Sequence, residues 1–91
     1  MTDIDIRRSH QLPLRDAKTR VEQIAERIAE RFDMHYGWRG NTLEFRRSGV
    51  DGRIAVSATD LQVSVRLSFL LFALKSAIER EIDSTIKQHF D

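Results

Sequence analysis

The sequence predicts an α+β fold in the order β-α-β-β-β-β-α, a largely antiparallel five-stranded sheet packed on one face by two helices. Two stretches repeat apolar residues at spacings of three and four, the mark of amphipathic helices. Between them, short stretches alternate at period two, the mark of strands with one buried face. The turns that separate these strands are short enough to force antiparallel neighbours.

The first strand is expected over Thr2–His10, where Ile4 and Ile6 alternate with Asp3, Asp5 and Arg7. Pro13 fits the first turn of a helix, where its missing N–H has no partner to lose. Leu14, Ala17, Val21, Ile24, Ala25, Ile28, Ala29 and Phe32 then form one apolar stripe, with Asp16, Lys18, Glu22, Glu26, Arg27 and Glu30 opposite. Asp16/Arg20 and Lys18/Glu22 are spaced to pair along that helix. Past Asp33 the period changes to two through Met34, Tyr36 and Trp38, Leu43 and Phe45, Ile54 and Val56, and Leu61, Val63, Val65 and Leu67. Arg39-Gly40-Asn41-Thr42, Ser48-Gly49-Val50-Asp51-Gly52 and Ala58-Thr59-Asp60 turn the chain between them. Ser68 is expected to cap the last helix, with Leu71, Leu74, Ile78, Ile82, Ile86 and Phe90 as its stripe.

Ninety-one residues suffice for a single domain, residues 1–91, with no linker or repeat to divide it. Without cysteine the chain has no disulfide, thiolate metal site or cysteine nucleophile, which suits a reducing compartment. No apolar run reaches the roughly 18 residues of a membrane span, and the N-terminus lacks the order of a signal peptide. The expected location is the cytoplasm. A formal charge of +1 is far from the imbalance of a dedicated nucleic-acid binder, although residues 34–67 lean basic.

Catalytic chemistry finds little footing. His10, His35 and His89 are too widely separated for a metal-ligand motif, and no serine sits in a nucleophile elbow. Asp3 with Asp5 and Glu79 with Asp83 share faces, but a solvated surface explains both pairs. Neither Gly37-Trp38-Arg39-Gly40 nor Gly49-Val50-Asp51-Gly52 opens a helix as a phosphate loop does. No catalytic, cofactor or metal site is expected, and the reading is of a protein that is not an enzyme.

Two surfaces are more informative. With Ile4, Tyr36, Phe45, Ile54 and Val65 pointing inward, alternation sends Arg7, His35, Arg39, Arg46, Arg53 and Arg66 outward with Glu44, Asp3 and Asp5. The simpler reading is a solubilising face with cross-strand pairs. The alternative is a surface for an anionic partner such as RNA, through Arg39, Arg46, Arg53 and Arg66, although the aromatics that would stack on bases have inward parity. The second surface is the apolar start of the last helix, Leu67-Ser68-Phe69-Leu70-Leu71-Phe72-Ala73-Leu74. On an α-helix Phe69 lies about 160° from the core stripe, with Leu70 and Phe72 on opposite flanks. Either another element covers Phe69, or Phe69, Leu70 and Phe72 form a patch that meets a partner, a second copy or a hydrophobic particle. A third possibility is a small-ligand cup between sheet and helices lined by Tyr36, Trp38 and His35.

The chain also resembles a known family. The residues that carry the likeness are Asp3-Ile4-Asp5-Ile6-Arg7-Arg8 with His10, Leu12 and Pro13, then Ala17 and Val21, then Leu43-Glu44-Phe45 with Arg47-Ser48-Gly49-Val50 and Gly52. It continues through Ile54 and Val56 to Leu67, Phe69-Leu70-Leu71 and Ile78-Glu79-Arg80-Glu81-Ile82. Together these are similar to the small polyhydroxyalkanoic acid system proteins of bacteria, with the Arg-Ser-Gly-Val turn and the Phe-Leu-Leu segment the most distinctive. The resemblance implies an accessory or regulatory protein of polyester storage in the cytoplasm, associated with granules, and brings no catalytic residues. The implied partners are a polyester granule surface or a granule-associated protein, with a homodimer as a further option.

Overall fold

A computed structural model describes residues 3–90, apart from the side chain of Leu70. The order is β1 (Ile4–Ser9), α1 (Leu14–Phe32), β2 (His35–Arg39), β3 (Thr42–Arg47), β4 (Val50–Val56), β5 (Asp60–Leu67), a 3₁₀ segment (Phe69–Leu74) and α2 (Lys75–Phe90). This is the α+β arrangement expected from the periodicities. Thr2, assigned by alternation to the first strand, lies outside the described residues.

The sheet order is β1-β5-β4-β3-β2, and every neighbouring pair is antiparallel. β2 to β5 follow one another as hairpins, while β1 returns to pair with β5. The two edges are therefore β1 and β2, and α1, which joins them, must cross the whole sheet. Its 19 residues allow this: at 1.5 Å per residue the helix is about 28 Å long, against four interstrand gaps of about 4.8 Å.

Period-two alternation aligns the inner face in rows. One row is Ile4, Val65, Gly52, Phe45 and Tyr36, and the next is Ile6, Val63, Ile54, Leu43 and Trp38. Ala17, Val21, Ile24, Ala25 and Ile28 of α1 and Ile78, Ile82 and Ile86 of α2 close over these rows, and all are buried. Drying this single core is the main source of stability, since each fully buried Val, Leu, Ile or Phe contributes roughly 1.5–3 kcal/mol. Buried Thr85 is satisfied by donating its hydroxyl to the Glu81 carbonyl at 2.7 Å. α1 ends where Asp33 turns left-handed at φ 55° and the Met34 N–H reaches back to the Ala29 carbonyl at 2.9 Å.

The last helix departs from the expectation. It does not begin at Ser68; six residues of 3₁₀ helix come first, and α2 starts at Lys75. Ser68 makes no side-chain cap hydrogen bond. Its backbone is extended, and its N–H donates to the Gly49 carbonyl at 2.8 Å, which ties the end of β5 to the β3–β4 turn. Leu71 lies against the same turn, so the chain must wind tightly beside it before an α-helix can start. Leu74 is not part of the buried stripe as expected: it is 50% exposed, whereas Leu71 packs against the core.

Gly49 makes this contact possible. Its φ is +86°, and a Cβ there would stand 2.9 Å from both Leu71 Cδ1 and Ser68 Oγ. Gly49→Ala should therefore lower the unfolding free energy by about 1–3 kcal/mol, through strain at positive φ and through the clash. Gly40→Ala is the matched control, because Gly40 also has a positive φ, +61°, and a Cβ there meets nothing within 4 Å. Urea denaturation of the two variants checks the pair; equal stability would mean that the turn and Leu71 do not press on each other.

Candidate functional site

The 3₁₀ segment decides which apolar side chains stay wet. At three residues per turn, positions i and i+3 eclipse, so Phe69, Phe72 and Lys75 stack along one edge. Phe69 is 93% exposed, Phe72 50% and Leu74 50%. Lys75 Nζ stands 5.5 Å from the centroid of the Phe72 ring, within cation–π range. On an α-helix Phe69 and Phe72 would stand about 60° apart; the 3₁₀ winding brings them into one ridge. Of the two alternatives left open for Phe69, the structure shows no element covering it. Leu70 is in the same turn, but its side chain lies outside what is described.

The two most distinctive stretches of sequence meet at this ridge. Arg47-Ser48-Gly49-Val50 forms the β3–β4 turn, and Leu71 of the Phe69-Leu70-Leu71 stretch packs on its glycine. Arg47 also donates from Nη1 to the Phe32 carbonyl at 2.8 Å, so the turn braces the C-terminal end of α1 as well.

The outer sheet face carries the arginines as alternation predicts, but it spreads them. Arg66, Asp51, Arg46 and His35 form the row nearest the ridge; Asp5, Ser64, Arg53, Glu44 and Gly37 form the middle row; Arg7, Gln62, Ala55, Thr42 and Arg39 form the far row. Acids are interleaved. Glu44 Oε1 lies 3.8 Å from Arg39 Nε and 3.9 Å from Arg46 Nη2, and Arg7 and Asp5 both engage the Gln62 amide. No Phe, Tyr or Trp side chain is present on this face among the described residues; Tyr36, Phe45 and Trp38 all have the inward parity.

Inward-facing Tyr36 and Trp38 meet α1 at the β2 edge. Trp38 Nε1–H donates to Glu22 Oε1 at 2.6 Å, and Lys18 Nζ sits 4.8 Å from the centroid of the indole ring while donating to the Gly40 carbonyl at 3.2 Å. The expected Lys18/Glu22 couple is thus organised around Trp38. Leu14, Arg15, Lys18, Thr19, Glu22, Trp38 and Asn41 border an open groove here. The proposed ligand cup is not assembled as expected, because His35 points to the opposite face of the sheet from Tyr36 and Trp38. The other two histidines hold backbone: His10 Nε2–H donates to the Ser57 carbonyl at 2.8 Å while its Nδ1 accepts from Leu12 N–H at 3.1 Å, and His89 Nδ1 lies 2.9 Å from the Thr85 carbonyl. These tautomers follow from the partners. No group of three or more metal-ligating side chains occurs among the described residues. No helix among them is long and apolar enough to cross a membrane.

A family model described as "Putative polyhydroxyalkanoic acid system protein" matches residues 4–90. The chain belongs to this family. The match runs from the first residue of β1 to the last of α2, and a role associated with the polyhydroxyalkanoic acid system is what membership carries. Searches of curated proteins and of solved structures return no match.

Three features of the site were missed in the sequence. Lys75 and Leu74 belong to the ridge, and the period of three in Phe69, Phe72 and Lys75 was the available signal. Glu22 as the partner of Tyr36 and Trp38 had no local signal, because that contact joins α1 to β2 across the fold.

The Glu22 contact has a spectroscopic consequence. The Tyr36 phenol is pushed up to about 12, first by its hydrogen bond to the Glu22 carboxylate, then by burial and by the charges of Glu22 and Glu26. The neutral phenol is favoured in the folded state. Its contribution to stability is present below about pH 10 and is lost as pH rises toward 12. Tyr36 is the chain's one tyrosine. Ultraviolet titration of the phenolate should give a midpoint near 12, moving toward 10 in Glu22→Gln; an unchanged midpoint in the variant would remove Glu22 as the cause.

Proposed function

We propose that this protein is a non-enzymatic accessory or regulatory protein of polyhydroxyalkanoate storage, which meets the polyester granule in the cytoplasm through the apolar segment of Phe69, Leu70 and Phe72. The observation that carries this reading is the 93% exposure of Phe69 on a segment whose Leu71 packs against Gly49. A large ring left in water forgoes roughly 1.5–3 kcal/mol of burial. A granule surface recovers that energy on contact. Family membership supplies the polyester context, and the ridge supplies a means of contact.

Cosedimentation with purified polyester granules tests the proposal. Wild-type protein should pellet with granules, and Phe69→Asp, which touches nothing in the core, should weaken the association at least tenfold while melting as the wild type does. Absence of wild-type binding, together with a solution dimer that Phe69→Asp dissociates, would assign the ridge to self-association instead.

A further inference from the structure

The proposed function leaves open what chemistry the contacted surface presents, and the charges around the ridge bear on it. Between Asp60 and Glu79 the chain carries two charged residues, Arg66 and Lys75, and both are cations that bracket the ridge. The turn beneath the ridge adds Arg46 and Arg47. The two segments that build this end of the molecule, residues 46–49 and 66–75, hold four cations and no carboxylate.

Their placement is set by the fold. The register pairs Arg47 with Val50 and Val50 with Leu67, and the next row along holds Arg66, Asp51, Arg46 and His35. The Gly49 carbonyl accepts from Ser68 N–H, which brings the arginine turn directly under the ridge, and Lys75 stands over Phe72. Carboxylates near the collar are fewer than its cations: Asp3 Oδ2 accepts from Leu67 N–H at 2.7 Å, Asp51 lies between Arg66 and Arg46 on the outer face, and Glu44 Oε1 is 3.9 Å from Arg46 Nη2, whereas Lys75 stands apart from them over Phe72.

A second copy of the chain fits this surface poorly. The exposed parts of Phe69, Phe72 and Leu74 offer on the order of 400 Å², so a dimer would draw the rest of the roughly 800 Å² per partner of a stable interface from the cationic surroundings. A two-fold contact places the same patch on both sides, which sets these cations against themselves. A convex apolar ridge with a basic collar suits a soft apolar phase whose surface carries negative charge.

We infer that the ridge and its collar dock on an anionic lipid layer, with Phe69 and Phe72 entering the apolar phase while Arg46, Arg66 and Lys75 lie at the level of the headgroups. This rests on the granule reading and deepens it: the granule surface that the protein selects is one coated with anionic lipid.

Flotation with phosphatidylglycerol vesicles, phosphatidylcholine vesicles and bare polyester particles at low and high salt tests the inference. Binding to phosphatidylglycerol should exceed binding to phosphatidylcholine at least tenfold and fall with salt. Lys75→Gln should weaken it about fivefold, and Arg46→Gln with Lys75→Gln by more than tenfold. Phe69→Ser should abolish it at either salt, and all three variants should keep the wild-type melting temperature. Equal binding to the two lipids, or indifference to the charge variants, overturns the inference. Salt-insensitive binding to bare polyester without binding to phosphatidylglycerol overturns it and leaves the granule reading standing; absence of binding to all three removes both. Displacement by single-stranded nucleic acid that depends on Arg53 and not on Phe69 would also overturn it, in favour of the sheet face.

Discussion

Leu71 packs against the β3–β4 turn because residue 49 has no side chain. That one contact determines the C-terminal third of the molecule. The Gly49 carbonyl holds Ser68, Leu71 Cδ1 lies 2.9 Å from where a Cβ would stand, and the chain leaving β5 winds as a 3₁₀ helix before α2 begins. Winding at three residues per turn puts Leu71 on the core and aligns Phe69 with Phe72 in water. The exposed ridge is thus a consequence of how the strand-to-helix junction is built, and the surface proposed for function shares its cause with the packing of the core.

Much of this architecture was legible in the sequence because it depends on periodicity. Ile4, Tyr36, Phe45, Ile54 and Val65 were placed on the inner face by alternation alone, and the register joins four of them in one row, with Ile54 in the next. Ala17, Val21, Ile24, Ala25 and Ile28 were placed by spacings of three and four, and all are buried. Periodicity says nothing about contacts between elements. The role of Gly49 in setting the winding of residues 69–74 is a contact between a turn and a segment about twenty residues later in the chain, so Ser68 was misread as an α-helix cap and Leu74 as a core residue. Glu22 was read as surface for the same reason, although it accepts from Trp38 across the fold.

The arginines show how topology refines a pattern. Alternation assigned Arg39, Arg46, Arg53 and Arg66 to one face, and they share it, but the strand register distributes them over three rows with Glu44 and Asp51 between them. Arg46 and Arg66 fall in the row that borders the ridge, next to Arg47 and Lys75. Apolar and basic features that the sequence presents as separate surfaces therefore converge at one end of the sheet, where the two distinctive family stretches also meet. Such convergence suits a protein that works by contact, with exposed rings for affinity and cations for selection of the surface.

Because the chain contains no cysteine, a single one introduced at position 69 can carry an environment-sensitive fluorophore uniquely. Emission from labelled Phe69→Cys, compared with labelled Ala55→Cys on the exposed outer face of β4, measures most directly whether the ridge enters the granule surface. The account predicts a water-like spectrum at both positions in the free protein and a blue shift at position 69 alone once granules are added. A probe at position 69 that is already shielded in the free protein, or that stays water-like on granules to which the protein has bound, would contradict it.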